Sequence, residues 1–168
     1  MTSLAEATAR TLRCIETLDL DFQKRVRGWL VEMQNSRIQP LIYTGRRSME
    51  EQAMLFAQGR SRPGRIITQA KPGQSYHNYG LAFDWVPLRV GKGDLLDTNW
   101  DDETAFRLGE HVGLTFNLTA ISFETGHLQD GRYSSWRDIP HSPVEQVVAK
   151  PKAAKGRGLV SKRPWSSR

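Results

Sequence analysis

Cys14 is the only cysteine in 168 residues, so no disulfide holds this chain together and no cluster of thiolates binds a metal within it. The fold has to come from a buried apolar core, which a chain of this length with 38% apolar residues can build as one domain. Any metal site has to be assembled from imidazole and carboxylate. Charges interrupt every apolar run well short of the ~20 residues a membrane-spanning helix requires. Glu6, Arg10 and Arg13 stand where a secretion signal would have its apolar stretch. Synthesis in the cytoplasm is therefore the expectation.

The net charge of +6 is unevenly placed. Residues 150–168 hold seven Lys and Arg and no acid, which leaves residues 1–149 at −1. That distribution divides the chain into a near-neutral folded domain, 1–149, and a basic flexible tail, 150–168. A basic body would suggest nucleic acid as a partner, and a basic tail does not. An arm of this kind is suited to an anionic wall polymer or an outer-membrane surface, with a plain solvated end as the simpler reading.

Apolar residues at spacings of three and four from Ser3 to about Arg37 predict two amphipathic helices, with Asp19 or Asp21 capping the second. Ile38–Thr44 reads as a strand, and Ser48-Met-Glu-Glu51 is a capping box opening a helix to Gln58. Residues 59–75 read as a loop crossed by a short strand at Ile66-Ile67, and Tyr79–Pro87 as a strand. A helix capped by Asp101 or Asp102 should end at Gly113, and Leu114–Leu128 is β-like. The order implies a small α+β domain with a mainly antiparallel sheet.

The segment Ser75-Tyr-His77-Asn-Tyr-Gly80-Leu-Ala82-Phe-Asp84 concentrates the unusual chemistry. An imidazole and a carboxylate lie seven residues apart, with Gly80 allowing a turn between them and Ala82 leaving space beside a strand. Two such side chains alone are more often a hydrogen-bonded pair than metal ligands. Trp29, Trp85 and Trp136 read as packing residues. The string Gly59-Arg-Ser-Arg-Pro-Gly64 lacks the lysine and hydroxyl of a phosphate loop.

Ser75, His77, Gly80, Ala82 and Asp84 fill every fixed position of S-x-H-x-x-G-x-A-x-D, and here the chain resembles the zinc peptidases of bacterial cell walls. These are the D-alanyl-D-alanine carboxypeptidases and L-alanyl-D-glutamate endopeptidases, many of them phage endolysins. Thr44-Gly-Arg-Arg47-Ser48 is similar to that family's S-G-Y-R-S, and Glu51-Gln52 with Leu55-Phe56-Ala-Gln-Gly-Arg60 to its E-Q and L-Y-x-x-G-R helix. The family's W-G-G-x-W stretch is absent, replaced by Thr115-Phe-Asn-Leu-Thr-Ala.

The resemblance implies Zn2+ as cofactor, with His77 and Asp84 as ligands and Arg47, Gln52 and Ser75 at the substrate. For the remaining ligand and the general base two acid–histidine pairs compete, Glu124 with His127 and Asp138 with His141. The spacing from Gly113-Leu114 favours the first, with Glu124 as base and His127 as ligand. Residues three apart on a regular strand face opposite ways, so either pair needs a bend, at Gly126 or Pro140. The activity implied is hydrolysis of a peptidoglycan stem peptide by a monomer, at the L-alanyl-D-glutamate bond, after release through a phage lysis pathway. A D,D-carboxypeptidase and a non-catalytic wall-peptide-binding module are the alternatives.

Overall fold

A computed structural model describes residues 2–140. The basic tail and His141 lie outside the described residues. Four helices pack on one antiparallel sheet, an α+β arrangement, and no helix among the described residues is long and apolar enough to cross a membrane.

Helix α1 (Leu4–Glu16) opens with a capping box between Ser3 and Glu6, and α2 (Leu20–Asn35) is capped by Asp19, whose carboxylate accepts from the amides of Asp21 and Phe22. Both bury an apolar stripe against the sheet: Ala7 and Ile15 from α1, and Phe22, Val26, Trp29 and Met33 from α2. Strand β1 (Gln39–Thr44) leads to α3 (Met49–Ala57), which starts with the second capping box, Ser48 with Glu51. A 3-10 turn, Tyr76–Tyr79, precedes strand β2 (Ala82–Val90), and β3 is Leu96–Thr98. Helix α4 (Glu103–Thr115), capped by Asp102, is followed by β4 (Leu118–Ala120) and β5 (His127–Asp130).

The sheet runs β1-β2-β5-β4, with β3 pairing the far end of β2. Strand β2 is the spine. Its inner face carries Phe83 and Trp85 into the core, where Trp29 meets Phe83 at 5.2 Å and Trp85 at 5.0 Å between ring centroids. The Trp29 indole donates to the Gly109 carbonyl at 2.8 Å, which ties α2 to α4. Across β1 and β2, Pro40 stands opposite Pro87. Their neighbours show which way this row of amides points: the Ile42 N–H donates outward to Thr11 Oγ1, and the Trp85 N–H to the Gly126 carbonyl.

Several expectations are corrected. Strand β2 starts at Ala82 because Tyr76–Tyr79 forms a turn closed by Gly80 in the left-handed region, φ 70°. Ile66-Ile67 is not a strand. Both side chains are exposed, and Arg60 instead organises this loop, donating to the carbonyls of Phe56 and Thr68 and to Gln69 Oε1. Helix α4 runs through the buried Gly113, where a Cβ would meet Leu118 and Leu128 at ordinary van der Waals distance. Of the β-like stretch from Leu114 to Leu128, only Leu118–Ala120 and the start of β5 are strand.

Candidate metal centre

The alternation that sends Phe83 and Trp85 inward sends Asp84 to the opposite face of β2. There it pairs with His127 on β5 and with Thr44 on β1, where an irregularity between Ile42 and Thr44 shifts the register. Asp84 thus occupies the middle of a three-strand platform. Its Oδ1 lies 3.0 Å from His127 Nδ1 and 3.3 Å from His77 Nε2. All three side chains are buried, and their ligand atoms lie within 4.8 Å of one another.

The outer nitrogens of both rings are already committed. His77 Nδ1 is 2.8 Å from the Gly45 carbonyl, which can only accept, so this nitrogen carries the proton and Nε2 presents a lone pair. His127 Nε2 faces Gln129 Oε1 at 3.2 Å, leaving the Nδ1 lone pair aimed at Asp84. Two lone pairs converging on one carboxylate oxygen need a proton or a cation among them. Tetrahedral zinc holds nitrogen and oxygen at about 2.0–2.2 Å, which puts neighbouring donors roughly 3.3–3.6 Å apart. The 3.3 Å separation falls in that range and the 3.0 Å one lies a few tenths of an ångström short of it, and the fixing of each ring by a partner on its other nitrogen is the usual support for a metal-ligating histidine.

The support is built into the backbone. The Arg47 N–H donates to the His77 carbonyl at 3.0 Å while His77 donates to Gly45, so the β1–α3 loop and the His77 turn hold each other in both directions. The Asn78 amide donates to the Arg47 carbonyl at 3.1 Å. Gly80 closes the turn in the left-handed region and lies against the backbone of Leu18 and Asp19, leaving no space for a side chain.

Arg47 Nη2 lies 4.0 Å from Asp84 Oδ2, and its Nη1 donates to Gln52 Oε1 at 3.0 Å. Gln52 is fully buried, and its Nε2 donates to the Ala70 carbonyl. It therefore reaches the site through Arg47 rather than lining the cleft. Glu124 is half-exposed, with Oε2 3.9 Å from His127 Nδ1. Gly126, at φ 79°, makes the bend that lets residues 124 and 127 address the same point. Ser75 is half-buried in the same cleft.

Asp138 sits on an exposed 3-10 turn, Trp136–Asp138, and is not in the cluster. Its partner His141 lies outside the described residues.

The cluster opens into a cleft of about 970 Å³, walled by Ile66 and Ile67 on one loop and Phe123 and Glu124 on another, with Trp136 at its margin. Trp136, expected as packing alone, also lines this cleft. Gln129 and the Gly45 carbonyl were not singled out by sequence. Gln129 was within reach of a period-two argument, since it lies two residues after His127 on one strand face. A backbone carbonyl leaves no mark in composition. Tyr43, beside the cluster on β1, has its phenol pushed up to about 12 by burial and by the charges of Asp84 and Glu124.

The chain belongs to the VanY family, D-alanyl-D-alanine carboxypeptidase, whose profile matches residues 16–136. Among individual relatives it is 33% identical over 107 residues to the peptidoglycan L-alanyl-D-glutamate endopeptidase CwlK of Bacillus subtilis, over 64% of this chain and 61% of that protein. The chain thus spans less than two thirds of that relative's length. Two solved structures share the fold. The L-Ala D-Glu endopeptidase ChiX of Serratia marcescens has a TM-score of 0.52 at 19% identity, covering 80% of this chain and 92% of that one. The vancomycin resistance D,D-pentapeptidase VanY from a VanB-type cassette, solved in complex with Zn(II), has a TM-score of 0.51 at 17% identity, covering 68% and 72%.

Proposed function

We propose that this chain is a zinc-dependent peptidoglycan peptidase that hydrolyses the L-alanyl-D-glutamate bond of the stem peptide. The observation that carries the reading is the convergence of His77 Nε2, Asp84 Oδ1 and His127 Nδ1, each ring held by a partner on its far nitrogen. His77, Asp84 and His127 would hold the ion, which when bound supplies Lewis-acid polarisation and a nucleophile at neutral pH. Glu124, on the open side of the cluster, takes a proton from the attacking water and hands it to the leaving amine. Arg47, braced by Gln52, offers its guanidinium to the carbonyl oxygen as negative charge develops there, and Ser75 orients the peptide by hydrogen bonding.

The choice of bond is supported by the likeness to CwlK and by the shape of the site. Next to the cleft lies a second cavity, with Arg47 and Leu55 lining both. An enzyme removing a terminal residue needs a closed end, whereas one cutting within a chain needs room on both sides. The family profile keeps the D,D-carboxypeptidase reading as the second possibility. The biological setting we propose is lysis: synthesis in the cytoplasm, release through a phage lysis pathway and action on the wall as a monomer. The basic tail, residues 150–168, would add weak attraction to anionic wall polymer or the outer-membrane surface.

Mass spectrometry of muropeptides digested by the zinc-loaded protein tests this. New amino-terminal D-glutamate is expected. Loss of terminal D-alanine alone would assign the carboxypeptidase activity, and unchanged muropeptides that still bind would assign a binding module.

A further inference from the structure

The second cavity, about 520 Å³, lies between α1 and the β1–α3 segment. Its walls carry Arg10 and Arg13 from α1 and Arg46 and Arg47 from the loop, with Cys14, Tyr43 and Met54 among them. Arg10 and Arg13 are three residues apart and share a helix face. Among the described residues, neither they nor Arg46 has a carboxylate within ion-pair distance, whereas Arg25, Arg47, Arg107 and Arg132 all do. The single acid on the walls, Glu51, is engaged in the capping box, accepting from the Ser48 N–H at 2.8 Å. Among the described residues, three exposed arginines thus line one cavity without an ion-pair partner, and each guanidinium can take a planar oxyanion through paired N–H donors.

We infer that this cavity is a subsite for a carboxylate of the stem peptide, located at least one residue beyond the bond that is cut. The inference rests on the proposed endopeptidase reading, because that reading fixes which side of the substrate is charged. Toward the sugar, the stem peptide is joined through an uncharged amide. The free carboxylates lie on the side that leaves as the amine. Arg47 and Leu55 line both cavities, so the arginine-lined space lies next to the metal cleft, where a peptide extending past Arg47 would reach it. The site therefore selects the anionic half of the peptide and sets its direction across Asp84.

Cys14 makes the test independent of catalysis, because it lines this cavity and is the chain's only cysteine. Its alkylation rate by iodoacetamide is measured in the full chain carrying Glu124→Gln, with a soluble muropeptide whose distal carboxylates are either free or amidated. The free form is expected to slow alkylation and the amidated form to leave it unchanged. Arg10→Gln with Arg13→Gln should abolish the difference. In the otherwise native enzyme, that pair should raise KM for the free form about fivefold to tenfold, with kcat retained, as expected for loss of charge-assisted contacts made equally before and during the reaction. Equal protection by both peptides, or a difference that survives both substitutions, overturns the subsite. Selective protection by a protein that cuts no stem-peptide bond keeps the subsite and rejects the endopeptidase reading.

Discussion

Asp84 on β2 and His127 on β5 are direct partners in the antiparallel ladder, and the same register that pairs their backbones brings Oδ1 to 3.0 Å from Nδ1. Two of three candidate ligands are therefore placed by sheet geometry, while the third, His77, arrives on a separately braced turn. Removing any one should empty the site. We expect about one zinc per chain by elemental analysis after dialysis, and little in His77→Ala, Asp84→Ala or His127→Ala. Gln129→Ala, which frees the far nitrogen of His127, should weaken zinc binding by about 10–100-fold without abolishing it. Full zinc content in both His77→Ala and Asp84→Ala would refute the centre.

Glu124 is not needed to hold the ion if its role is proton transfer. Glu124→Gln should retain zinc and lower turnover on a soluble muropeptide by about 10²–10⁴-fold. Asp138→Asn, on an exposed turn, should change neither quantity appreciably. A variant with Gln at position 124 that turned over normally would remove Glu124 from the mechanism.

Acid stability should depend on Asp130. This buried carboxylate receives both terminal nitrogens of Arg25, at 2.9 and 2.6 Å, and is also bound by Arg132. Burial opposes its charge, but these hydrogen bonds prevail and lower its pKa. A carboxyl with a folded pKa below its unfolded value of about 3.9 contributes stability that is complete above about pH 5. That contribution is lost as pH falls through the folded value. Asp130→Asn should cost about 3–5 kcal/mol near neutrality, because Arg25 would keep only its longer contact with the exposed Asp21, at 3.6 Å. Urea midpoints measured from pH 7 down to pH 3 should converge for the two proteins, and a constant difference across that range would contradict this account.

Gly126 carries the bend between Glu124 and His127 at φ 79°, with the Trp85 carbonyl pressed against it. An alanine there meets both a disfavoured backbone conformation, about 1–2 kcal/mol, and a backbone clash. Gly126→Ala should lower the thermal midpoint and displace Glu124, so that turnover falls more than zinc content does. Unchanged stability and turnover would mean that the loop tolerates another path.

For the tail, deletion of residues 151–168 should leave cleavage of a small muropeptide unchanged and weaken cosedimentation with whole walls at low salt. The difference should fade as salt rises, because exposed charges are screened over about 8 Å at physiological ionic strength. Equal sedimentation of both proteins at every salt concentration would make the tail a plain solvated end.

What sequence made legible was local. The capping boxes at Ser3 and Ser48, the cap at Asp19 and the turn residue Gly80 act through neighbours a few positions away, so their signals lie side by side in the chain. Of the Ser3 box, only the helix it opens was anticipated. The short strands β3 and β4 were missed or misjudged because three residues carry too little pattern. They exist because longer partners, β2 and β5, offer them a ladder. Ile66-Ile67 shows the converse, a strand-like dipeptide that pairs with no strand and stays exposed. At the site, His77 and Asp84 stood out because both fill fixed positions of one short motif, S-x-H-x-x-G-x-A-x-D. The bracing by Gln129, the Gly45 carbonyl and the arginine-lined cavity depend on residues brought together only by folding.

The facing pair Pro40 and Pro87 has a consequence for the metal centre. Both occupy positions whose amides point away from the partner strand, so the missing N–H groups cost the β1–β2 ladder nothing. If β1 slipped by one residue, one strand would have to roll over, and a proline would then sit at a rung that demands a donor. It would also turn that strand's side chains to the other face. The two rings thus act as a ratchet stop 47 positions apart in sequence, permitting one alignment of Thr44 with Asp84 and penalising its neighbours. A carboxylate meant to meet two imidazoles to within a few tenths of an ångström is thereby protected from the commonest error a sheet can make.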